Sequence, residues 1–188
     1  MDVNTEVHNA FEVIKNGGII LYPTDTVWGI GCDATNSEAI AKIYALKQRE
    51  DSKSMIVLMN GEKMMYSVFS QIPDLAWDLW DLSEKPTTLI LDNPRNISEN
   101  LIASDKTLGV RIIKEPFCFK LLERMKKPLV STSANISGMP APKTFKEISP
   151  KIIKGVDYIV NLHQEKVCKN PSTIIKLSLD NQVKVIRK

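Results

Sequence analysis

The chain alternates short apolar runs with segments whose apolar residues recur at helical spacing. Val7, Ala10, Phe11, Val13 and Ile14 fall on one helical face and predict a helix over residues 5–16, stopped by Gly17-Gly18. Residues 19–22 are a continuous apolar run closed by Pro23, the pattern of a buried strand. A polar loop, PTDTVWGIGCDAT, follows, and Asn36 or Ser37 then caps a helix carrying Ala39, Ile40, Ile43, Tyr44 and Leu46 as far as Gln48. Further helices are predicted over 62–69, 74–82 and 116–125, the last with proline in its first turn. Strands are predicted over 55–59, 88–91, 110–113, 129–131, 158–160, 173–177 and 183–187. Asp180-Asn181 makes a hairpin turn between the last two. Helices alternating with short apolar strands and ending in a hairpin predict an α/β fold: a twisted mixed sheet with flanking helices. With no repeat, low-complexity tract or linker, residues 1–188 read as a single domain.

Composition narrows the function classes. The 188 residues are 43% hydrophobic and 25% charged, enough apolar material for a sizeable core. A net charge of +3 permits an anionic ligand but is small for a protein that coats nucleic acid by charge alone. No apolar run approaches the roughly 20 residues needed to cross a bilayer, and MDVNTEVHNA lacks the features of a signal peptide. Cys32, Cys118 and Cys168 are odd in number and widely spaced, which fits a reducing cytoplasm rather than a disulfide framework.

Gly29-Ile30-Gly31-Cys32-Asp33-Ala34 matches the outline of a dinucleotide-binding fingerprint, with Asp51 about 20 residues on. That mechanism needs the first glycine directly after a strand, whereas residues 23–28 intervene, so the glycines read as tight-loop residues. The chain has no phosphate-binding G-x-x-x-x-G-K-[ST] loop and no G-x-S-x-G elbow, and His8 and His163 are isolated. The sequence names no metal ligand.

Three polar clusters stand near the ends of predicted elements, and in open α/β sheets ligands bind beyond the carboxyl ends of strands. Thr24-Asp25-Thr26 can orient a small polar ligand or make a turn. Lys47, Arg49 and Lys53 suit a polyphosphate, or equally a solvated helix C-terminus. Ser131, Thr132, Ser133, Asn135 and Ser137 supply hydroxyls and an amide suited to phosphate oxygens. Together they describe a neutral-to-cationic pocket for a phosphorylated ligand.

These residues resemble the YrdC-like family. The likeness rests on GGIILYPTDTVWGIGCDA, the K-x-R of Lys47 and Arg49, LGVRI, PLVSTSANISGMPAP, PST and the near-terminal Val185-Ile186-Arg187, and runs from about Ala10 to Arg187. The resemblance implies a YrdC-like fold with a concave basic face. It also implies an L-threonylcarbamoyladenylate synthase, which joins L-threonine, bicarbonate and ATP to give threonylcarbamoyl-AMP and pyrophosphate. The product serves threonylcarbamoyladenosine modification of tRNA through downstream transfer proteins, and Mg2+ accompanies the ATP. By position, Lys47, Arg49, Lys53, Ser133, Asn135 and Arg187 would bind ATP, and Thr26, Arg111, Thr132 and Ser172 would bind threonine. Gln48 and Glu50 stand where Gly and Pro are usual, Ser54-Met55 replaces Pro-Leu, and Trp28 and Ile113 replace Tyr and Pro. The competing expectation is a non-catalytic RNA-binding or ribosome-assembly module using the same face, although aromatic residues are only 6% of the chain.

Overall fold

The computed structural model describes residues 2–48, 55–168 and 170–188. Helix α1 (Val3–Lys15) ends in a glycine cap: Gly17 N–H donates to Ile14 and Gly18 N–H to Val13, each at 2.9 Å, with Gly17 at φ +77°. Strand β1 (Ile20–Tyr22) follows, and the expected loop after it contains a strand that periodicity did not reveal, β2 (Gly29–Gly31). Helix α2 (Ser37–Lys47) is capped by Asn36, whose side chain accepts the Ala39 N–H at 3.0 Å. Its other end closes on Gln48, a non-glycine residue in the left-handed region at φ 51°.

The chain continues through β3 (Ile56–Met59), α3 (Glu62–Val68), α4 (Asp74–Asp81), β4 (Thr87–Asp92) and β5 (Thr107–Ile112). Then come α5 (Pro116–Met125), β6 (Leu129–Ser133), a short helix α6 (Pro150–Gly155) that the sequence reading lacked, β7 (Tyr158–Ile159), β8 (Thr173–Leu177) and β9 (Val183–Arg187). All nine strands form one sheet in the order β7-β1-β2-β6-β3-β5-β4-β8-β9. It is mixed throughout, not only at the terminal hairpin: β1–β7, β3–β5 and β4–β8 are parallel and the other pairs antiparallel.

Paired residues share a face, so register sorts the side chains. Val130, Val57, Val110 and Leu89 line up on one face and are fully buried, the aliphatic core. The opposite face carries Ser131, Ile56, Gly109, Arg111 and Thr88, polar groups set among small or aliphatic ones. Strands read as uniformly apolar therefore have one chemically distinct side.

Gly29 and Gly31 have a structural task. The Tyr22 ring lies across both: a Cβ on Gly31 would come 2.9 Å from Tyr22 Cε1, and one on Gly29 3.2 Å from Tyr22 Cζ. The phenol donates to the Val130 carbonyl at 3.2 Å, and burial pushes its pKa well above the ordinary value, so it stays a donor. The glycine pair seats an aromatic ring rather than a pyrophosphate.

Candidate functional site

A cleft of about 390 Å3 opens on the polar face of the sheet. Thr24 and Thr26 reach it from the turn after β1, Gly29 from β2, Ile56 from β3 and Arg111 from β5. Ser131, Thr132 and Ser133 come from β6, and Asn135 and Met139 from the loop that follows. Ser172 stands just before β8, and Arg187 ends β9. The fold thus gathers Thr26, Arg111, Thr132, Ser133, Asn135, Ser172 and Arg187, spread over more than 160 positions, around one small-ligand volume.

Arg111 is the centre of its charge. Only 3% exposed, it donates from Nη1 to Thr26 Oγ1 at 3.3 Å and lies 3.0 Å from Asp25 Oδ1 through Nη2. That ion pair lacks hydrogen-bond alignment: Asp25 Oδ1 and Arg111 Nε are both buried without a hydrogen-bond partner among the described residues. Burial accordingly raises the Asp25 carboxyl above the usual aspartate range, and the attraction of Arg111 only partly offsets this. Thr24 and Thr26 hydroxyls meet at 3.0 Å, and Thr24 also donates to the Val27 carbonyl at 2.7 Å, fixing the turn that presents Thr26.

Across the cleft, Arg187 Nε and Nη2 donate to the Ser172 carbonyl at 3.0 and 2.8 Å. The Ser172 hydroxyl meets Thr88 Oγ1 at 2.8 Å, with both side chains buried. Desolvation, and secondarily the charge of Arg111, lower the Arg187 pKa. Two guanidiniums on one cleft favour an anion between them.

Lys47 sits beneath the rim rather than at its surface. It is 1% exposed, and its ammonium donates to the carbonyls of Ser133 and Asn135, the latter at 2.6 Å. Its own carbonyl accepts the Ser137 N–H at 2.9 Å. Lys47 therefore clips the Ser133–Ser137 loop from both side chain and backbone, while the Ser133 hydroxyl donates to the Asn135 side-chain oxygen. Arg49 and Lys53, and the departures Glu50 and Ser54, lie outside the described residues. Of the other departures, Trp28 is buried with its ring 4.9 Å from that of Phe145, and Met55 lines the cleft.

Two residues of this site were not assigned from sequence. Asp25 was visible within its cluster, but its pairing with Arg111 spans 86 positions. Thr88 read as the first residue of a strand, and no local signal marked it.

The Sua5/YciO/YrdC family model, described as telomere recombination, matches residues 12–188, and the chain belongs to this family. A relative from Methanocaldococcus jannaschii is 36% identical over 173 residues, covering 92% of this chain and 80% of its own. The threonylcarbamoyl-AMP synthase of Pseudoalteromonas translucida is 30% identical over 164 residues, covering 86% and 88%. Among solved structures, Escherichia coli YciO superposes with a TM-score of 0.85 at 25% identity, over 100% of this chain and 90% of that one. Pyrococcus abyssi Sua5, solved with L-threonine, gives 0.82 at 24% identity over 94% of this chain, which spans only 52% of that longer protein.

Proposed function

We propose that the chain is an L-threonylcarbamoyladenylate synthase, converting L-threonine, bicarbonate and ATP into threonylcarbamoyl-AMP, pyrophosphate and water. The supporting observation is the convergence of the two cationic forks and the Thr26, Thr132, Ser133, Asn135 and Ser172 side chains on one cleft. It sits in a chain whose relatives bear the name of this activity, which also disfavours the non-catalytic RNA-module reading.

In this reading Arg111, with its unpartnered Nε and its neighbours Thr26, Thr132 and Ser172, takes the threonine carboxylate and hydroxyl. Arg187, Ser133 and Asn135 take the triphosphate, joined by Arg49 and Lys53, while Lys47 holds the loop that presents Ser133 and Asn135. The threonine amine displaces water from bicarbonate to give a carbamate. A carbamate oxygen then bonds the α-phosphorus as the bond to the β,γ-pyrophosphate breaks. Such a transfer calls for positioning and charge neutralisation rather than a protein nucleophile. Mg2+ bound to the phosphates would lower their charge, and Ser133 and Asn135 offer the neutral oxygens that would hold it; among the described residues no three His, Cys, Asp or Glu side chains cluster as a cage. No helix among the described residues is long and apolar enough to cross a membrane. We place the reaction in the cytoplasm, feeding the proteins that transfer the group to tRNA.

Pyrophosphate release, measured with each substrate omitted in turn, tests the assignment. Release that needs ATP, threonine and bicarbonate together is expected; a rate indifferent to threonine refutes it.

A further inference from the structure

Between β8 and β9 the register slips. Val185 stands opposite Ile175 and Arg187 opposite Ile174, which leaves Ile186 as the extra residue of a bulge. Unbroken alternation would set Arg187 opposite Thr173, on the face it would share with Val185, Ile175 and the core residues Leu89 and Val110. The bulge reverses that. Arg187 joins the face of Ile174 and Thr88, where it lines the cleft and forks onto the Ser172 carbonyl.

We propose that the one-residue bulge at Ile186 is the positioning device that turns Arg187 into the cleft. This rests on the reading of Arg187 as a ligand for the triphosphate. The site then depends on the parity of the last strand and not on the side chain at 186, which is half exposed. The two possible length changes have opposite consequences. Deleting Ile186 removes the extra residue and leaves Arg187 opposite Ile174 in regular pairing. Inserting one alanine between Ile186 and Arg187 with the bulge kept at Ile186 carries the arginine opposite Thr173, onto the apolar face.

The test combines 15N-arginine NMR with steady-state kinetics on the full chain. The sequence has five arginines, so the Nε–H resonance of Arg187 is assigned by its loss in Arg187→Lys. In the parent this proton is hydrogen-bonded to the Ser172 carbonyl and is expected to exchange slowly. The deletion is expected to keep the slow resonance and a KM for ATP within about threefold of the parent. The insertion is expected to lose the resonance and match Arg187→Ala, with KM raised about tenfold or more and an unchanged circular dichroism spectrum. A slow resonance in the insertion variant, or its loss from a folded deletion variant, overturns the proposal. Should the deletion fail to fold, the insertion decides alone. If the resonances behave as expected while activity does not follow them, the bulge stands and the role assigned to Arg187 falls.

Discussion

Replacing Gly31 by alanine tests the account of the glycine pair directly. The added Cβ would lie 2.2 Å from the Val130 carbonyl oxygen and 2.9 Å from Tyr22 Cε1. Reaching an ordinary contact of about 3.2 Å requires β2 and β6 to part by roughly 1 Å, against a strand spacing of about 4.8 Å. The Val130 N–H to Cys32 bond at 2.9 Å and the Tyr22 phenol to Val130 bond at 3.2 Å both cross that gap. Overpacking costs about 1–3 kcal/mol and each weakened hydrogen bond about 1 kcal/mol, so a loss of about 3 kcal/mol follows.

For a chain of this size that is a fall in melting temperature of about 6–12 °C. Gly29→Ala comes no nearer than 3.2 Å, to Tyr22 Cζ, with Thr24 Cγ2 and Tyr22 Cε1 at an ordinary 3.4 Å; a small ring shift relieves it, and it should cost under about 1 kcal/mol. Because β6 carries Ser131, Thr132 and Ser133, Gly31→Ala should also lower kcat by about tenfold or more. Thermal denaturation of both variants, beside pyrophosphate release, supplies the numbers. A Gly31→Ala melt within about 2 °C of the parent, or below-parent melting that is worse for Gly29→Ala, refutes the seat.

Arg111→Lys keeps the charge but loses the fork that meets Thr26 and Asp25, and should raise the KM for threonine about tenfold to a hundredfold; saturation kinetics measure it, and an unchanged KM removes Arg111 from the threonine site. Gln48→Gly relieves a left-handed non-glycine cap and should raise the melting temperature by about 2–3 °C, near 1 kcal/mol; thermal denaturation checks it, and a lower melt contradicts it. Asp25 has a folded pKa raised by burial, so its contribution to stability is present below the unfolded value of about 3.9 and is lost as pH rises through the raised folded value. Asp25→Asn should therefore melt no lower than the parent near neutral pH, with the difference closing toward about pH 4; a melt several degrees lower at neutral pH contradicts the sign.

Most of the architecture was legible because its causes are local. The Gly17-Gly18 stop, the Asn36 cap and Pro116 in the first turn of α5 each mark an element within a few residues. β2 was hidden because Gly-Ile-Gly has neither β-propensity nor alternation; what makes it a strand is pairing with β1 on one side and β6 on the other. The candidate site was legible as clusters, since Thr24–Thr26 and Ser131–Ser137 stay together in the chain. Its internal wiring was not. Lys47 beneath Ser133 and Asn135, Thr88 against Ser172 and Arg111 beside Asp25 are contacts across 84 to 88 residues, and only sheet order brings them together. The parity of β9 lay between these cases: every residue was visible, but the slip at Ile186 depends on the partner strand.

The small net charge and a cleft lined by Arg111 and Arg187 are reconciled by what holds each cation. Arg187 is gripped by the carbonyl of Ser172, an acceptor that is polar but neutral. Such acceptors fix a cation's position without cancelling its charge, so the field of the group still reaches the cleft. An acid in the same place would fix the cation equally well and remove most of that field. Arg111 is the exception, with Asp25 at 3.0 Å, and there the pair is misaligned and the carboxylate is penalised by its burial. A well-formed bidentate bridge would compete with a substrate carboxylate on equal terms; a misaligned one orients the guanidinium and leaves Nε for the ligand. On the proposed reading, Arg187 held by a neutral oxygen and Arg111 beside a misaligned carboxylate contribute to binding a polyanion, and such a site needs no broad positive surface.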